Sequence, residues 1–215
     1  MASQRQRQSR LASLLRDLGR REAPARPPAP RLDTMPVEAV DRVLALYRAL
    51  GGDAEDFVDF RPGVWDIVLA DGVIVELDEE QHFNRYRRVT LEPDWTDGLP
   101  WASDFRRYCD EHELPALRKA KRGGYWASPS TERMFGPAAP PGEFGGHGSP
   151  RWKQRALYDA MRDALAAAGE VRLARVAVWD AVGATSLARV LDGRADVDHD
   201  ALAVLVEART SRAPG

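Results

Sequence analysis

Cysteine is nearly absent from this chain, and Cys109 stands alone, so an internal disulfide framework and any zinc site built from several thiolates are both excluded. Net charge is also missing. With 31 Lys and Arg against 33 Asp and Glu the formal charge is -2, and no uniform basic field marks the whole protein as a polyanion binder. No apolar run approaches the length of a membrane span, and the stretch from Met1 to Arg21 is too polar for a secretory signal. These absences lead us to expect a cytoplasmic protein with no membrane partner. A hydrophobic content of 44% over 215 residues is enough for one ordinary core with tails.

Residues 1–31 hold Arg5, Arg7, Arg10, Arg16, Arg20 and Arg21 with Leu11, Leu14, Leu15 and Leu18 at helical spacing, then a Pro/Ala linker from Ala23 to Pro30. We expect a basic tail without fixed structure, in which a short amphipathic helix would fray, and a domain boundary near Arg31. The core is expected over 32–180 and short C-terminal helices over 181–215. Apolar spacing from Pro36 to Leu50 predicts a helix stopped by Gly51-Gly52, with Thr34 as its cap. Strands are predicted at Phe57–Phe60, Val64–Leu69 and Val73–Asp78, and a fourth at Arg175–Trp179 after a helix over Trp152–Ala168. The irregular stretch 92–150, with a helix over Ser103–Glu113, reads as an insertion. The expected class is α/β: helix, three-strand antiparallel meander, helix, strand, plus the helical insertion and C-terminal helices.

Chemistry concentrates on the central hairpin. Asp66 lies on one arm, and Glu76 and Asp78, two apart on the other, share a face. With a three-residue loop Ala70-Asp71-Gly72, glycine left-handed, Asp66 faces Glu76; a two-residue Asp71-Gly72 turn would slip the register and send Asp66 to the other face. Buried carboxylates brought together need a cation, and oxygen ligands suit Mg²⁺ or Mn²⁺. Such a site fits phosphodiester hydrolysis. The competing reading has Asp66 ending a ladder and Glu76 to Glu80 forming a solvated strand exit. His82, four residues past Asp78, is a candidate base or ligand, and Glu38 is explained by its place in the first helical turn.

Asp66 followed by Glu76-x-Asp78 in this frame resembles the PD-(D/E)xK restriction-endonuclease-like superfamily. The run Glu76-x-Asp78-x-x-x-His82 is closest in look to its very-short-patch-repair-type branch, although Glu79 stands where that branch usually has glycine. The resemblance implies a Mg²⁺-dependent nuclease acting on DNA, with Asp66, Glu76 and Asp78 as ligands and His82 catalytic. Asp78 occupies the lysine position of the superfamily, which departs from the pattern. Gln154 and Tyr158 fit the Q-x-x-x-Y motif of RecB-type exonucleases, and Lys153 is a candidate replacement for the lysine. Two basic patches, Arg85, Arg87 and Arg88, and Arg151, Lys153 and Arg155, are expected on phosphate. Lys119, Lys121, Arg122, Tyr125 and Trp126 would add stacking on unpaired bases. The rivals are a non-catalytic nucleic-acid-binding module of the same fold and an acidic hairpin serving protein contacts.

Overall fold

A computed structural model describes residues 3–52, 59–120 and 125–212. They form a mixed α/β arrangement of eight α-helices, a three-stranded sheet and a two-stranded ribbon. The chain divides into two compact units, one of Met1–Ala29, Gly63–Glu79 and Gly169–Gly215, the other of Pro30–Pro62 and Glu80–Ala168. Residues 32–180, expected to form one core, are thus divided between the two units. No helix is long and apolar enough to cross a membrane among the described residues.

The first unit is built on its sheet. Strand β1 (Ile67–Val68) pairs antiparallel with β2 (Val73–Asp78), and β2 pairs parallel with β3 (Arg172–Ala177). This corrects the expected antiparallel meander: a hairpin is followed by a long crossover to a parallel third strand. In the expected strand at 57–60, Phe57 and Val58 lie outside the described residues, while Asp59 and Phe60 are not in a strand. All six residues of β2 are buried, because its successive apolar side chains require cover on both faces. Both sheet edges are closed by short segments: Ala23 N donates to Val68 O at 2.7 Å, and Ser211 N to Leu173 O at 2.7 Å. A ribbon of β4 (Ala181–Val182) and β5 (Thr185–Ser186) follows.

The N-terminal segment is not a loose tail. Helix α1 (Gln4–Asp17) begins in a capping box at Ser3 and Gln6, and it buries Leu11, Leu14 and Leu15. Arg7, 2% exposed, reaches Glu79 at 3.3 Å and Asp192 at 2.9 Å, so one of the basic residues of the supposed tail is an internal ion-pair centre. The linker is pinned as well, with the Trp65 indole donating to Pro28 O at 3.0 Å. Sequence spacing alone reveals an amphipathic stripe, but not the partner that stops it fraying.

The second unit is helical: α2 (Val37–Ala49), α3 (Arg85–Thr90), α4 (Ala102–Ala120), α5 (Pro129–Phe135) and α6 (Pro150–Ala167). Helices α2, α3 and α5 pack on α6, which is buried along most of its length. Ser149 caps α6 from its side chain to Trp152 N, and Pro150 fits the first turn, where its missing N–H is no loss. Helix α2 presents Ala39, Val43, Leu46 and Tyr47 on one face; its N-cap is Pro36 rather than Thr34. Trp126 and Trp152 meet at 5.4 Å with their rings tilted by 59°, beside Ala116, so Trp126, expected to be available for base stacking, is core. Lys121 and Arg122 lie outside the described residues. The C-terminal helices α7 (Leu187–Leu191) and α8 (His199–Ala208), expected from the sequence as short helices, belong to the first unit.

Docking of α1 through fully buried Leu15 predicts that Leu15→Ala lowers stability in urea by about 2–5 kcal/mol. An unchanged unfolding midpoint would mean the helix is not part of the cooperative fold.

Candidate functional site

The hairpin register places Ile67 opposite Val75 and Val68 opposite Ile74. Leu69 N donates to Val73 O at 2.8 Å, and Gly72 adopts a φ of +84°. This is the three-residue loop, and carrying the register one residue beyond Ile67 and Val75 puts Asp66 opposite Glu76 on one face. There the backbone ladder gives way to side chains. Leu77 N donates to Asp66 Oδ2 at 3.0 Å, and Asp66 N donates to Glu76 Oε1 at 3.0 Å. Each carboxylate therefore holds the opposite strand's backbone, and Gln8 of α1 adds a 2.7 Å bond to Asp66 Oδ1. Glu76 is 6% exposed, whereas Asp66 is half-buried.

Asp78 has a different role from the one expected. The parallel register sets Glu76 beside Arg175 and Asp78 beside Ala177, which brings the side chains of Glu76, Asp78 and Arg175 to one face. Arg175 Nε donates to Asp78 Oδ2 at 2.7 Å, and its terminal nitrogen donates to Oδ1. Both residues are almost fully buried. A bidentate guanidinium on both carboxylate oxygens competes with metal ligation. The sequence did carry a signal, since an arginine in the apolar run Ala174-Arg175-Val176-Ala177 needs an internal acid, but nothing in the sequence named which one.

In the second unit His82 Nδ1 lies 2.7 Å from Asp159 Oδ2, with Asp159 on α6. A carboxylate at Nδ1 orients the ring. Asp159 was not anticipated, although two acids four apart on a long alanine-rich helix are a readable sign of internal pairing. Gln154 is on the same helix, accepting from Arg151 NH1 at 2.6 Å and donating to Met134 Sδ at 3.2 Å. The Tyr158 hydroxyl accepts from Arg61 N at 3.2 Å. Burial pushes that phenol upward, partly offset by the Arg61 bond.

The expected phosphate patches are largely committed internally. Arg87 is 0% exposed and sits 2.7 Å from the equally buried Asp163, off the hydrogen-bonding axis, so it is no phosphate contact. Lys153, 7% exposed, points its amine between the Tyr86 and Phe135 rings at 5.6 and 5.7 Å. Desolvation lowers its pKa, and it too is corrected from a surface cation to an interior one. Arg85 grips Glu113 at 2.8 and 2.7 Å and covers the Phe144 ring; Arg88 meets Glu92 and Asp110; Arg155 reaches Gln81 O at 3.4 Å. Glu38 pairs with Arg42 on the surface of α2.

Burial raises the Glu113 carboxyl, but the Arg85 hydrogen bonds outweigh it and hold the pKa below the ordinary 4.5. The stabilisation is therefore complete above that value and lost as pH falls below it. Glu113→Gln should flatten the acid side of a stability-versus-pH curve relative to wild type. Superimposable acid limbs would show that Arg85 is not held by this partner.

The family DUF7255, described as a family of unknown function, matches residues 45–193, more than half of the chain. No curated protein and no solved structure matches it.

Proposed function

We propose that this chain, which belongs to the family of unknown function DUF7255, is a metal-dependent nuclease that hydrolyses DNA phosphodiester bonds on a restriction-endonuclease-like frame. The observation that carries this reading is Asp66 opposite Glu76 at the open end of the β1–β2 ladder. The order α2, β1, β2, α6, β3 supports the reading to the extent that it follows the helix and strand order expected from the sequence.

Asp66 and Glu76 fit a divalent ion: both are acidic oxygen donors on one face, at the end of the paired ladder. Asp78 does not fit while Arg175 holds it. Mg²⁺ or Mn²⁺, when bound, supplies Lewis-acid charge neutralisation and acidifies water. The chain's own residues supply the rest. The backbone bonds fix Asp66 and Glu76 to opposite strands before any ligand arrives. Arg175 puts on β3 the positive charge that Asp78 removes from the lysine position of β2. A guanidinium stays protonated, so Arg175 acts by charge and position and never as a base.

The second reading, a non-catalytic nucleic-acid-binding module, is favoured by one observation: the buried acid at the lysine position is neutralised from within by Arg175.

Glu76→Gln preserves an oxygen to accept from Asp66 N–H and should keep the fold. It should abolish Mn²⁺-dependent cleavage of plasmid and single-stranded DNA, and weaken Mn²⁺ binding in calorimetry. Retained metal-dependent cleavage in this variant rejects the assignment. Wild-type protein that binds DNA with steep salt dependence yet neither cuts it nor takes up Mn²⁺ would select the second reading.

A further inference from the structure

We propose that the cleft between α1 and β1 is the docking groove for a single DNA strand, with Arg5 and Arg16 as its phosphate contacts. The proposal rests on the nuclease reading for the purpose of the groove, but its geometry stands by itself. The cleft lies wholly within the first unit and has a volume of about 390 Å³. One wall is the α1 stripe from Arg5 to Arg16, and the other is Val64 to Ile67, so that Asp66 lies on its lining.

The helix has two faces with separate tasks. Leu11, Leu14 and Leu15 face inward, while Arg5, Ser9, Ala12 and Arg16, spaced by four, three and four residues, form the opposite stripe that lines the cleft. At 1.5 Å per residue, Arg5 and Arg16 stand about 16 Å apart along the axis. That distance lets two phosphates of one strand be held along the same helix. Gln8 joins this helix directly to Asp66 at 2.7 Å, so a strand lying along the stripe passes the acid.

Charge complementarity identifies the occupant. Arg5 makes no ion pair among the described residues, and Arg16 has only an exposed contact of 3.5 Å with Glu22. Exposed pairs of that kind are weak and exchange readily for a phosphate. Arg26 donates to Trp65 O at 3.1 Å and stiffens the far wall. Val64, 67% exposed, gives an apolar rim on which a base can rest. A cleft of this volume takes about one nucleotide, so a strand that reaches both Arg5 and Arg16 runs along its open mouth with one nucleotide seated, and a duplex does not enter it. Arg87 and Lys153 are interior in the other unit, which leaves these arginines as the cations that line a cleft shared with Asp66.

The test uses the full chain and fluorescein-labelled oligothymidylate in EDTA, with anisotropy read across a NaCl series. Arg5→Ala/Arg16→Ala should bind about tenfold more weakly at low salt, with a log–log salt slope smaller by about 1.4, the value for two phosphate contacts on a single strand. Arg194→Ala, exposed and outside the cleft, should behave as wild type, and unlabelled duplex of the same length should compete at least about tenfold less well than single strand. A wild-type slope in the double variant, an equal loss in Arg194→Ala, or equal competition by duplex overturns the proposal. Because the assay contains no metal, its failure is separate from that of the catalytic assignment, which Glu76→Gln decides by cleavage.

Discussion

Gly72, at a φ of +84°, closes a loop of three residues between β1 and β2, and the register of the hairpin follows from that closure. Asp66 and Glu76 face one another only because the loop has this length; one residue fewer would place them on opposite faces. The ladder then ends in carboxylate-to-backbone bonds, which hold both acids in place without a ligand. The cost of burying Asp78 is met from β3 by Arg175, which is 0% exposed. Hairpin register, parallel pairing and charge balance are therefore one linked constraint.

The hairpin was legible in the sequence because its information is local. Glycine after aspartate, apolar residues on both arms and acids at positions 66, 76 and 78 lie within a short stretch. Helices α2 and α6 were legible from their periodicity and stop signals. The Asp78–Arg175 pair was not, since its members are 97 residues apart and strand pairing has no local sign. The same blindness misplaced the arginines. A run such as Arg85-Tyr86-Arg87-Arg88 has the same local composition whether its side chains meet phosphate or carboxylate, and only Asp163 and Glu113, far along the chain, decide the matter.

The expected ladder-ending role of Asp66 and its expected role near a metal are compatible. A carboxylate oxygen that accepts one N–H still has lone-pair capacity, and a preorganised acid loses little freedom when it meets a cation. Asp78 differs in its partner: its two oxygens are held by the charged guanidinium of Arg175, which ties β2 to β3, whereas those of Asp66 accept from neutral donors, Gln8 and the Leu77 N–H.

The parallel β2–β3 pairing also sets an order on biosynthesis. Asp78 leaves the ribosome 97 residues before Arg175, a wait of about 5–20 s at ordinary elongation rates. Throughout that interval β2 lacks its neighbour and the nascent hairpin carries Asp66, Glu76 and Asp78 uncompensated by Arg175. Those charges hydrate an open strand edge and repel a second nascent copy. The acids thus guard the unfinished sheet against pairing with another chain until the arginine that belongs beside them has been made.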